Sequence, residues 1–129
     1  MSRRLTNEEK LDRAVLERDL QDQIIQLARL LRWRVAHFRP AMTAQGWRTP
    51  VQADGKGFPD LILLRGSRIV VVEVKRQLGT IDPDQELWLD AFRGVGAEVH
   101  VWRPSDMRSG SIQRELGNTL REEQHECTG

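Results

Sequence analysis

Asp60, Glu73 and Lys75 are the residues of this sequence whose types and spacing can do chemistry together. Asp60 precedes the apolar run Leu61-Ile62-Leu63-Leu64, and Glu73 follows Ile69-Val70-Val71-Val72. Two such runs about a short polar turn predict a β-hairpin. Gly66-Ser67 suits a two-residue type II′ connection, because glycine accepts the positive φ of its first position. That turn pairs Leu64 with Ile69 and, counting outward, sets Asp60 directly opposite Glu73. Opposed residues of an antiparallel pair hold their Cβ atoms roughly 4.5–5.5 Å apart on one face. Lys75, two residues beyond Glu73, shares that face, while Val70, Val72 and Val74 take the other.

Two carboxylates held side by side among hydrocarbon lose hydration and repel one another. A hard divalent cation with oxygen ligands relieves both, and an adjacent ammonium can polarise a phosphate or position a water. Metal-assisted hydrolysis of a phosphodiester is the chemistry this trio predicts. A plainer arrangement fits the same residues, with Asp60 capping the strand and Glu73 and Lys75 forming an exposed salt bridge. The hairpin by itself does not choose between them.

The elements before the hairpin must bring further groups to it. Thr6-Asn7-Glu8-Glu9 has the form of a capping box, and one helix, or two in tandem, should then run to about Arg32. Leu16, Leu20, Ile24, Leu27 and Leu31 mark one buried stripe at steps of four and three. Glu17 and Gln21 lie a turn apart beside it, where spacing favours a hydrogen-bonded surface pair. Trp33 to Phe38 reads as the first strand, closing on His37 and Arg39. A histidine there is most often a structural hydrogen-bonder; its other candidate partners are a DNA phosphate or a metal-bound water. Residues 40–56 show no sustained periodicity and read as a long loop, of a kind that is usually functional or disordered. Arg39, Trp47, Arg48 and Lys56 give it basic groups around an aromatic, suited to holding phosphates and stacking on a base. Trp47 packing back onto the sheet is equally open.

After the hairpin, Arg76 to Ile81 reads as a turn of basic character. Asp82-Pro83-Asp84-Gln85 then starts a helix, with Asp82 at N-cap, Pro83 at N1 and Gln85 at N3. Gln85 thus has a capping role of its own. Leu87, Trp88, Leu89, Ala91 and Phe92 supply apolar surface, and Gly94 and Gly96 end the helix. Ala97 to Trp102 reads as a fourth strand, joined in parallel to the third by that helical crossover. Pro104-Ser105-Asp106 suggests another helix start, and Ile112, Leu116 and Leu120 a weak amphipathic helix.

A hydrophobic fraction of 39% and a charged fraction of 30% describe an ordinary globular chain, and 129 residues fit one domain. We expect it over residues 8–120, with 1–7 and 121–129 as flexible termini. A net charge of +1 does not announce a nucleic-acid binder, so local basic clusters must do that work. The single Cys127 excludes an intramolecular disulfide and a cysteine-based zinc site. No apolar run approaches the roughly 20 residues of a membrane span, and the N-terminus is too polar for a signal peptide. The expected compartment is cytoplasmic.

Pro59-Asp60 followed by Glu73-Val74-Lys75 resembles the PD-(D/E)xK nuclease signature, and in particular the VRR-NUC family. That family carries a helical Glu followed by Gln, a Gly-x-Pro-Asp-Leu segment, a Glu-x-Lys strand ending in a basic residue, and a Gln in the next helix. Here these are Glu17 and Gln21, Gly57-Phe58-Pro59-Asp60-Leu61, Glu73-Val74-Lys75-Arg76, and Gln85, spread over about residues 16–106. Asp-x(n)-Glu-x-Lys alone is a weak signal; all the pieces in this order make a strong one. Leu16 and Asp82 depart from the pattern, since family members often place Ser or Thr at those helix caps. Asp82 is still a good cap, whereas Leu16 is not.

The resemblance implies an α/β fold with a restriction-endonuclease-like αβββαβ core, a mixed four-stranded sheet flanked by helices. It implies a divalent-metal-dependent DNA endonuclease using Mg²⁺ or Mn²⁺, with Asp60, Glu73 and the Val74 carbonyl as metal ligands. Glu17 would bind a second ion or order its water shell, Lys75 would orient or deprotonate the attacking water, and Gln85 would fix Lys75 or a phosphate. His37, Arg39, Trp47, Arg48, Lys56 and Arg76 are the candidate DNA contacts. Stand-alone members are homodimers that cut four-way junctions, so branched DNA is the expected substrate and the apolar C-terminal segment a candidate interface. The competing readings are a non-cleaving nucleic-acid-binding or assembly module on the same fold, and an RNA-directed nuclease.

Overall fold

The computed structural model describes residues 3–38, 41–44, 46–48 and 51–118, with 41–43 and 46–48 described by backbone alone. Two helices open the chain, α1 (Asn7–Ala14) and α2 (Glu17–Leu30). The capping box at Thr6 forms: its hydroxyl accepts the Glu9 amide at 3.1 Å, and the Glu9 carboxylate accepts the Thr6 amide at 3.2 Å. The break falls at Val15 and Leu16, both in extended backbone. Leu16 is therefore the N-cap of α2, without a side-chain cap bond and 39% exposed, and it drops out of the expected buried stripe. Leu20, Ile24 and Ala28, one turn apart, carry the buried line instead.

The hairpin sits at the centre. Strand β1 (Arg34–His37) is followed by a small antiparallel ladder, β2 (Ala41–Thr43) with β3 (Gly46–Arg48), inside the stretch expected to be one loop. Three-residue strands are too short to show alternation, which needs about four to eight residues. Strands β4 (Leu61–Arg65) and β5 (Arg68–Val74) then pair antiparallel with Leu64 opposite Ile69, as the turn predicts. Gly66 takes φ +58° at the first loop position, and Ser67 needs no positive φ. Helix α3 (Pro83–Gly94) crosses over to β6 (Glu98–Trp102), which lies parallel to β5. The main sheet runs β1-β4-β5-β6, mixed and four-stranded, and α2-β1-β4-β5-α3-β6 traces the αβββαβ core.

One face of this sheet meets α2 and the closing helices, α4 (Pro104–Arg108) and α5 (Ser111–Gly117). Leu20, Ile24, Leu61, Leu63, Val70, Val72, Val74, Trp102, Ile112 and Leu116 form its core. Ile112 and Leu116 are fully buried, so the C-terminal segment does not offer them as an interface. Trp33 donates its indole N–H to the Leu116 carbonyl at 2.9 Å, with the guanidinium groups of Arg65 and Arg68 over its ring. Arg68, 3% exposed, binds both oxygens of Glu98 at 2.8 Å. Helix α1 is tied on by Arg108, whose Nε donates to both oxygens of the buried Asp12 at 3.1 and 3.0 Å. No described helix is long and apolar enough to cross a membrane. Arg39, Leu120 and the 121–129 tail with Cys127 lie outside the described residues.

Candidate active site

The site forms where β4 begins and β5 ends, on the sheet face that turns toward α3. Residues Gly57 to Asp60 lead into it. Gly57 has φ +82°, and a Cβ there would stand 2.6 Å from the Asp84 carbonyl carbon and 2.7 Å from the Gln85 nitrogen. Only glycine lets this segment lie against the first turn of α3. Phe58 packs edge-on to Phe38, Trp88 and Phe92, with ring centroids 4.9, 5.0 and 6.0 Å away. Pro59 is fully buried. Asp60 is then fixed from both neighbouring strands: its carbonyl accepts the Phe38 amide at 2.9 Å, and its Oδ2 accepts the Val74 amide at 2.8 Å.

Continuing the β4–β5 register past Leu61 and Val72 sets Asp60 opposite Glu73, as the sequence predicts. Glu73 is only 2% exposed. Its Oε1 accepts the Gln85 side-chain amide at 3.2 Å, while Oε2 is buried with no hydrogen-bond partner among the described residues. Burial pushes the Glu73 carboxyl up to about 9; the neighbouring Asp60 carboxylate adds to the rise, Lys75 opposes it, and Glu17 adds to it. Such a carboxyl holds either a proton or a cation. Lys75 is 8% exposed, and its ammonium has no hydrogen bond or ion pair among the described residues. The exposed salt bridge that the sequence left open does not form.

Gln85 serves two ends at once. Its Oε1 accepts the Asp82 amide at 2.9 Å, completing the helix start, and its Nε2 reaches Glu73. Gln21, expected on the surface beside Glu17, is instead buried and bonded to His37 Nε2 at 3.0 Å. Glu17 opens α2, close enough for its charge to act on Glu73. Among the candidate contacts, Lys56 pairs with Asp84 at 3.3 Å, and Arg76 donates to the Arg13 carbonyl at 3.0 Å. Arg39 and the side chains of Trp47 and Arg48 lie outside the described residues.

A second cluster escaped the sequence reading. Glu98 and His100 of β6 and Glu115 of α5 bring three ligand-type atoms within 4.8 Å of one another. It lies on the opposite sheet face, and Arg68 already grips Glu98 there. The alternation of Glu98 and His100 is visible in the sequence, but nothing local to Glu115 points toward them. Among the described residues this is the one cluster of three such ligand atoms so close together.

The αβββαβ order, with two acids and a lysine at the strand ends, defines a restriction-endonuclease-like core. The chain belongs to the VRR-NUC family: the model of the VRR-NUC domain matches residues 5–106. Comparison with curated proteins yields no match. Membership places it among nucleases and implies use of a divalent metal. Asp60 and Glu73 fit that requirement, since they present hard oxygens and one buried carboxylate oxygen has no donor among the described residues.

Proposed function

We propose that this protein is a Mg²⁺- or Mn²⁺-dependent DNA endonuclease that acts as a homodimer on branched DNA. The observation that carries the reading is the convergence of Asp60 and buried Glu73, whose Oε2 has no hydrogen-bond partner among the described residues, with Lys75 two residues further along the same strand end. Asp60, Glu73 and the Val74 carbonyl are the residues that would hold the cation. Bound there, the cation supplies Lewis-acid polarisation of the phosphoryl oxygen and a more acidic attacking water.

The chain's own groups do the rest. Gln85 keeps Glu73 turned toward Asp60 by holding the opposite oxygen. The Val74 amide fixes the Asp60 rotamer. Lys75 orients the incoming water and offsets the negative charge that gathers on the five-coordinate phosphorus. Water gives up a proton to solvent as it adds to phosphorus, one phosphorus–ester oxygen bond breaks, and the departing oxygen takes a proton from solvent. Glu17, whose charge acts on Glu73, would bind a second ion or order its water shell. Arg76 and Lys56, both exposed, suit backbone contacts, which position a substrate without reading its sequence. That favours recognition of DNA shape, and a two-fold dimer would supply paired cuts on opposing strands.

The test is a cleavage panel of linear, flapped and four-way DNA, with RNA in parallel, in Mg²⁺ and in Mn²⁺. Asp60→Ala and Lys75→Ala should bind the junction and not cut it. A wild type that binds and never cuts in either ion makes this a binding module instead.

A further inference from the structure

We propose that Arg13 and Arg76, on a turn braced by Arg103, form a second phosphate-binding subsite, which holds a DNA backbone phosphate beside the one being cleaved. The inference rests on the nuclease reading for its substrate, but its geometry lies outside the metal ligands. Three guanidinium-bearing residues from separate parts of the chain meet at the turn that follows Lys75. Arg103, between β6 and α4, donates to the carbonyls of Arg76 and Gly79 at 2.8 and 2.6 Å. Gln77 is clamped to Ser105 twice, by its Nε2 on the hydroxyl and by its Oε1 from the amide, each at 3.0 Å. The turn is thereby stiff, while Arg76 and Leu78 at its surface stay exposed.

A strand end turns successive side chains to opposite faces. Lys75 faces the acids, so Arg76 swings toward α1, where one Nη2 hydrogen reaches the Arg13 carbonyl. A guanidinium has five donors, so most of those of Arg76 remain for a ligand. Arg13, Arg76, Leu78 and Gly79 line a cleft of about 280 Å³ there. Among the described residues none of the three arginines forms an ion pair, in contrast to Arg3, Arg68, Arg93 and Arg108. Glu9, a turn before Arg13 on α1, is bonded to Arg3 at 2.7 Å.

The acids nearest this turn, Glu9 and Asp12, are taken up by Arg3 and Arg108, so an anion in the cleft offsets the charge of Arg13 and Arg76 at little ordering cost. The cleft adjoins Lys75 along the chain, so the anion that fits is a neighbouring phosphate of the same backbone. Nothing in the cleft distinguishes bases.

Arg13→Gln is the clean variant, because the Arg13 side chain makes no hydrogen bond in the described fold. Binding of the full chain to a duplex of about 20 bp is measured by fluorescence anisotropy across a KCl series in EDTA, which keeps divalent ions from competing for phosphates. Each phosphate contact contributes about 0.9 to the slope of log K against log salt. Arg13→Gln should lower that slope by about that much and weaken binding equally for unrelated sequences, with the melting temperature of the wild type. Arg13→Lys should recover the slope, and Arg13→Gln with Arg76→Gln should lose about twice as much. A wild-type slope and affinity in Arg13→Gln overturns the subsite, as does a wild type that binds no DNA. If the slope falls but no ion ever supports cutting, the subsite stands and the nuclease reading fails. If cutting is robust and the slope is unmoved, the reverse holds.

Discussion

Gln85 and Glu73 are joined at 3.2 Å, and the same Gln85 side chain closes the start of α3 through the Asp82 amide at 2.9 Å. One residue therefore couples helix capping to carboxylate orientation. Gln85→Ala should cost about 1 kcal/mol of stability, the worth of a cap and a part-buried hydrogen bond. It should also slow cleavage more than a capping loss alone explains. Thermal unfolding beside single-turnover cleavage measures both. A slow but normally stable variant, or a destabilised and fully active one, would separate the two functions.

The raised carboxyl of Glu73 gives the metal-free protein a defined pH dependence. The folded chain keeps a proton up to about 9, whereas the unfolded chain releases it near its ordinary value of 4.5. The folded state thus binds more protons across that window, so its stability falls as pH rises through it. Melting in EDTA should show the decline between about pH 5.5 and about pH 8.5. Glu73→Gln should flatten it and raise the melting temperature at the alkaline end. Mn²⁺ should stabilise the wild type most at high pH and Glu73→Gln scarcely at all.

Gly57 predicts a defect that begins in the backbone. Gly57→Ala forces a side chain into the left-handed region and within 2.6 Å of the first turn of α3. The conformational part alone costs about 1–2 kcal/mol, and the collision adds to it by pushing Gln85 from Glu73. Cleavage should fall with stability, and Mn²⁺ affinity, read by calorimetry, should fall with both.

Arg68 lies away from the site and should behave differently. Removing one member of a buried ion pair costs about 3–5 kcal/mol. Arg68→Ala should lose that in denaturant unfolding, while Arg68→Ala with Glu98→Gln recovers part of it. Residual folded protein should retain its cleavage rate per molecule.

The legible parts of this chain were those where short-range rules fix long-range geometry. A two-residue turn sets every pair along β4 and β5, so Asp60 and Glu73 met on the page as they meet in space. The cap at Asp82 likewise placed Gln85. Leu16 misled because its spacing fits a stripe, while the backbone breaks beneath it. The β2–β3 ladder escaped for want of length. Glu115 came to Glu98 and His100, and Arg13 to Arg76, only through the packing of separate helices. No local pattern reports that.

The clasp between Asp12 and Arg108 joins residues 96 positions apart. A helix of eight residues such as α1 is marginal alone in water. On the ribosome it must wait, nearly the whole length of the domain, for α4 to emerge before its anchor exists. The first helix of this domain is therefore among the last of its elements to become ordered. Arg13 cannot take its place beside Arg76 until then, so a half-made chain carries the acids before the proposed phosphate subsite exists.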